Sequence, residues 1–155
     1  MKVAILTAGT AIYRGLEEDL SGSLIQKMMD ESGNEVVFTK ALPNDTAVIS
    51  TVMQRLADSG SVDLILTNGG AGLGPEDCTP EATDAVIEKY VMGIPEAMRA
   101  YLMTKTKRAM LNRCVAGIRG KVLIVNLPGK PGAVKASLSY ILPEITHAVS
   151  VIKGE

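Results

Sequence analysis

Between Thr67 and Pro80 the chain reads TNGGAGLGPEDCTP, which sets four glycines directly before an acidic pair, Glu76 and Asp77. Glycine lets the main chain take positive φ and approach a ligand closely, so that N–H groups can converge on an anion. A carboxylate beside such a cradle calls for a divalent cation between itself and a phosphate. Together they point to a Mg-nucleotide or another phosphorylated ligand. The plainer alternative is a tight strand-to-helix turn with no ligand, and for Glu76 a solvated side chain. Pro128, Gly129 and Lys130 repeat the theme later, with a glycine and a cation ahead of a helix. That combination suits a terminal phosphate, or again a turn alone.

Other side-chain chemistries find little support. The loop is neither a Walker A sequence, which needs Gly-Lys-Ser/Thr, nor a G-x-G-x-x-G dinucleotide fingerprint. The only histidine, His147, falls off the apolar stripe of the last helix and is expected to face solvent. Cys78 and Cys114 have no CxxC or metal-ligand spacing and no neighbouring histidine, so both read as small apolar fillers in a reduced, cytoplasmic protein. Asp19 with Ser21 and Gly22 reads as a helix cap. Asp45 reads either as a cap or as a metal ligand facing Asp77, with capping the default.

These residues need a scaffold, and the apolar pattern supplies one. Short β-rich runs at Val3 to Thr7, Asn34 to Leu42, Val62 to Leu66, Cys114 to Ile118 and Lys121 to Asn126 alternate with helical patterns. The helices are expected over Ser21 to Asp30, after Asp45, over Pro80 to Lys89 with Thr79 as cap, over Pro95 to Thr104, and along the C-terminus. There Val134, Leu138, Ile141, Ile145, Val149 and Ile152 form an apolar stripe. Alternation of this kind predicts an α/β fold with a largely parallel sheet, whose ligands sit beyond the carboxyl ends of the strands.

The chain of 155 residues is the size of one domain, so 1–155 is expected to fold as a unit. Its 16 Lys plus Arg nearly balance 17 Asp plus Glu, with no basic patch for nucleic acid. Five aromatic residues leave little for base stacking. No run approaches membrane-spanning length, and the start, MKVAILTAGTAIYRG, reads as a first core strand.

Taken together, TNGGAGLGPEDCTPEAT, the later AGIRGKVLIVNLPGKPGAVK and the early RGLEEDLSG resemble the molybdopterin adenylyltransferase family of molybdenum-cofactor biosynthesis, related to the G domain of gephyrin. The similarity covers nearly the full chain. It implies a three-layer α/β/α fold with a mostly parallel mixed sheet, usually assembled as a homotrimer, and contact with other proteins of that pathway. It also implies the reaction: transfer of AMP from Mg-ATP to the terminal phosphate of molybdopterin, with release of pyrophosphate. A molybdopterin-binding or carrier protein of the same fold is the alternative.

By position, the resemblance assigns Asp77 to the metal and nucleotide chemistry, and Thr67, Gly69, Gly70, Ala71 and Gly72 to the ligand-cradling loop. Asp19, Ser21 and Gly22 match the D-x-S-G segment, and Asn126, Pro128, Gly129 and Lys130 match the phosphate-side turn. The chain departs from the family pattern at Gly9-Thr10, Asn44, Ala71, Glu76 and Asn112. Asn44 stands where the family uses a catalytic acidic residue, which leaves Asp45, one position on, as the carboxylate available for Mg2+.

Overall fold

The computed structural model describes all residues from Met1 to Glu155. Six strands form one sheet in the order β2-β1-β3-β6-β5-β4. Strands β1 (Lys2–Ala8), β2 (Glu35–Leu42), β3 (Leu64–Asn68) and β6 (Val122–Leu127) run parallel. The sheet is completed by β5 (Ala116–Arg119), antiparallel to β6, and β4 (Lys89–Tyr90), antiparallel to β5. The helices are α1 (Thr10–Tyr13), α2 (Leu20–Glu31), α3 (Thr46–Asp58), α4 (Thr79–Asp84), α5 (Gly93–Met103) and α6 (Pro131–Lys153), with a 3-10 turn over Lys107–Leu111.

Strand side chains alternate between the two faces. Val3, Ile5, Leu64, Leu66, Leu123 and Val125 pack with Ile25 and Met29 of α2, Met98 and Leu102 of α5, and the stripe Val134, Leu138, Ile141, Ile145 and Val149 of α6. Ala4, Leu6, Ile65, Val122 and Ile124 face the other way, onto Ile49, Met53 and Ala57 of α3 and Ala82 of α4. This is the expected α/β/α arrangement with a mostly parallel mixed sheet. Strands sandwiched on both sides become largely apolar, as the run Val122 to Val125 of β6 shows.

Three expectations need correction. The helix over Pro80 to Lys89 stops at Asp84, because sheet pairing takes the chain beyond it: Glu88 donates its N–H to Ile118 and Val91 to Ala116. A side chain on Gly117 would meet Ile87 and the Lys89 carbonyl at 2.6–2.7 Å, so this glycine is what admits the edge strand β4. Thr79 does not cap α4. Cys78 occupies the cap position without a side-chain bond, and the Thr79 hydroxyl donates instead to the Gly69 carbonyl at 2.9 Å. The third strand runs two residues later than the apolar pattern suggests, so Thr67 and Asn68 belong to β3 and the glycine loop begins at Gly69.

Candidate functional site

The four parallel strands end in register: Ala8 lies beside Leu42, Thr7 beside Asn68, and Asn68 beside Leu127. Their following loops therefore emerge on one rim. From β1 the chain moves to β2 on one side and later to β3 on the other, so the neighbouring β1 and β3 ends form a switch point where a crevice opens. A cavity of about 430 Å³ lies there, lined by residues that include Thr7, Gly9, Thr10, Glu17, Glu18, Asp19, Ser21, Asn44, Asn68, Gly69, Glu76 and Gly129.

The Asp19 carboxylate is fixed in this wall from two directions. It caps α2, with one carboxylate oxygen accepting the Gly22 N–H at 2.8 Å. The other accepts from the Thr7 hydroxyl at 2.6 Å, and that hydroxyl in turn accepts from Asn68 Nδ2 at 2.9 Å. A Cβ on Gly22 would lie within the Asp19 carboxylate, so the glycine is what permits this fit. Ser21 donates to the Gly129 carbonyl at 2.6 Å, tying α2 to the turn after β6.

Gly69 and Gly70 have φ of 80° and 69°, where a side chain is strained, and a Cβ would overlap the Ala8 carbonyl or the Thr79 hydroxyl. The following arc folds the Asp77 carboxylate inward to accept the Gly74 N–H at 2.8 Å. Asp77 therefore sits in its own loop, while the neighbouring Glu76 lines the cavity. Glu76 is exposed, as its reading as a solvated residue has it, and it stands on the cavity rim. Its signal, like that of Glu17 and Glu18, was only its nearness in sequence to a motif carboxylate.

Asn44 and Asp45 diverge. The Asp45 carboxylate caps α3, accepting from the Val48 N–H at 3.0 Å, and it lies outside the cavity wall. Asn44 lines the cavity, with its N–H donating to Thr10 Oγ1 at 3.0 Å. Its Oδ1 is buried and has no hydrogen-bond partner. Thr67 and Asn126 are buried in the sheet and bonded to each other, with Asn126 Nδ2 donating to Thr67 and Thr83 and its Oδ1 accepting from Val115. Their polar atoms are spent holding strands together. Lys130 is exposed beside the turn.

Ala71, Gly72 and Pro128 face a second depression of about 380 Å³, shared with Leu73, Arg108, Leu111 and Asn112. The glycine loop and the Pro128-Gly129 turn thus form a ridge between two hollows. At its crest the backbones meet: a Cβ on Gly129 would come within 3.3 Å of the Gly69 Cα. The first hollow carries four acidic side chains and no Lys or Arg in its wall. The second carries Arg108. Nowhere do three His, Cys, Asp or Glu side chains converge as a metal cage. A divalent cation is compatible with this donor set only in the manner of Mg2+ carried by a nucleotide, with one or two protein oxygens added to phosphate oxygens. On the loop, the Asp77 carboxylate has one oxygen bonded to the Gly74 N–H and is the carboxylate of the right kind for this, whereas the buried Asn44 Oδ1 lies in the wall of the first hollow.

Cys114 is buried and unfit as a nucleophile. Burial pushes the Cys114 thiol up to about 12, outweighing its contact with Asn112 and the nearby Arg99 and Arg113 charges. His147 is exposed on α6, as expected.

Fold and site define a three-layer α/β domain with an open crevice at the switch point of its sheet, beside a glycine loop backed by a second strand-to-helix turn. More closely, residues 4–147 match the family described as probable molybdopterin binding domain, and the chain belongs to that family. The molybdopterin adenylyltransferase of Helicobacter pylori is 36% identical over 154 residues, covering 98% of this chain and 88% of its own. The crystal structure of the molybdopterin biosynthesis enzyme MoaB from Thermus thermophilus has a TM-score of 0.93 at 40% identity, covering 99% of this chain and 97% of that one. The tungsten cofactor synthesizing protein MoaB from Pyrococcus furiosus has a TM-score of 0.88 at 29% identity, covering 97% and 96%. No helix is long and apolar enough to cross a membrane.

Proposed function

We propose that the protein is a molybdopterin adenylyltransferase, acting as a nucleotidyltransferase in molybdenum-cofactor biosynthesis. The observation that carries this reading is the ridge: one backbone crest, Gly69 against Gly129, separates two hollows of similar size, so two phosphate-bearing substrates can meet across it. A lone pair on the terminal phosphate of molybdopterin forms the new bond to the α-phosphorus of ATP. The bond to the bridging oxygen breaks, and pyrophosphate departs with its electrons. No side chain forms a covalent bond, which accords with a site lacking a reactive His or Cys. The chain's contribution is alignment and charge stabilisation by loop N–H groups and Lys130. Asp77 would be the carboxylate to hold Mg2+ brought by ATP, and that ion would supply the positive charge that the acidic wall lacks.

A carrier that binds molybdopterin without turning it over is favoured by one observation. The neutral Asn44 faces the cavity, and the neighbouring Asp45 is committed to capping α3. The deciding experiment supplies molybdopterin and Mg-ATP to the wild type and to Asp77→Asn, with the Helicobacter pylori relative as positive control. Adenylated pterin and pyrophosphate from the wild type, reduced at least about tenfold in the variant, support transfer; this is the loss of one charged interaction. Tight pterin binding without products supports the carrier. Chain length supports a single domain, the two cysteines without pairing or metal-ligand spacing a cytoplasmic setting, and the resemblance a homotrimer alongside other proteins of the pathway, which analytical ultracentrifugation and cell fractionation test directly.

A further inference from the structure

We infer that Arg113 is the positioning residue that holds the Asp77 loop in its ligand-ready shape. The inference deepens the adenylyltransferase reading and rests on it for its catalytic meaning. Arg113 grips the loop at both ends. Its backbone N–H donates to the Ala71 carbonyl at 2.9 Å and its Nε to the Gly72 carbonyl at 2.7 Å, while a terminal nitrogen donates to the Asp77 carbonyl at 3.1 Å. The other terminal nitrogen pairs with Glu81 of α4 at 2.5 Å. No other group donates to the Gly72 or Asp77 carbonyls. Inside the arc the only bonds are the mutual ones between Gly74 and Asp77.

The clamp itself is anchored. Arg99 of α5 donates to the carbonyls on either side of Arg113, at 3.3 Å to Asn112 and 2.9 Å to Cys114, and Asn112 Oδ1 accepts the Cys114 N–H at 2.7 Å. In a trans peptide the N–H points opposite to the C=O. Drawing the Gly72 and Asp77 carbonyls onto the guanidinium therefore turns the Leu73 and Cys78 N–H groups away from it, where neither has a protein acceptor. Arg113 thus orients donors for an anion without touching that anion. The planar fork is essential to this, because a lysine cannot serve two carbonyls and a carboxylate at fixed angles.

The test compares wild type, Arg113→Ala, Arg113→Lys and Glu81→Gln by site-resolved hydrogen exchange and steady-state kinetics. Loss of the charged bonds is expected to speed exchange of the Gly74 and Asp77 amides about tenfold or more in both Arg113 variants, with β6 unchanged. KM for Mg-ATP rises in both while Glu81→Gln stays within about threefold of wild type, the size of a half-exposed ion pair's contribution. Loop exchange equal to wild type in Arg113→Ala, acceleration spread evenly over the sheet, or full rescue by Arg113→Lys would overturn the inference. An inactive wild type whose loop still loosens on substitution refutes the proposed reaction and leaves the clamp standing.

Discussion

Replacing Gly22 by Ala sets two effects of opposite sign against each other. Gly22 lies in α2, where alanine is normally better by about 1 kcal/mol. The three atoms nearest to a Cβ there all belong to the Asp19 carboxylate, which must move. Displacing it removes the cap on α2, worth about 1 kcal/mol. It also breaks the 2.6 Å bond from Thr7, which as a bond to a charged group is worth about 1.5–3 kcal/mol. The clash wins, for a net loss of about 1.5–3 kcal/mol. At roughly 3 °C per kcal/mol for a chain of this length, Tm should fall by about 5–9 °C in calorimetry. The same change made in an Asp19→Ala background should be neutral or stabilising, since the clashing atoms are gone. A Gly22→Ala protein as stable as wild type, or equal effects in the two backgrounds, would refute the assignment of Asp19 as the fixed wall of the cavity.

Two further outcomes follow from single atoms. In the native protein a thiol reagent at about pH 8, near the ordinary thiol range, should label the half-buried Cys78 and leave Cys114 untouched until unfolding, as judged by mass spectrometry. Because burial raises the folded Cys114 pKa to about 12 from an ordinary 9.0, its contribution to stability is complete below 9.0 and is lost between 9.0 and about 12, where only the unfolded chain sheds the proton. Cys114→Ala should flatten that alkaline limb in pH-dependent melts. Asn44→Asp places a carboxylate where the buried Oδ1 has no donor, so the ligand-free protein should melt lower at neutral pH by several degrees, on the order of 1–3 kcal/mol. Added Mg2+ and ATP should restore more of that loss than they add to wild type, and identical shifts in the two proteins would count against Asn44 as a metal-side residue.

Local rules carried much of the fold. The period of α6, the apolar runs of the parallel strands and the glycine-rich punctuation each report on a short stretch of chain, and each element formed close to where its pattern lies. They failed where a distant segment intervened. Residues 85–90 have no strong preference, and the space above Gly117 drew them into an edge strand. Thr79 looked like a cap, but the Gly69 carbonyl was the better-placed acceptor for its hydroxyl.

The sequence by itself determined that a glycine loop with Asp77 and a Pro-Gly-Lys turn would lie at strand ends, because residue type and strand-to-helix order are enough for that. Only the tertiary structure decided which side chains meet. Asn44 rather than Asp45 faces the cavity, because the α3 cap claims the Asp45 carboxylate. Thr67 and Asn126 hold the sheet together, and Arg113, forty-one residues from Gly72, grips the loop. Capping and periodicity act over one turn of chain, whereas pairing of buried polar groups depends on which strands become neighbours, a property of the whole sheet.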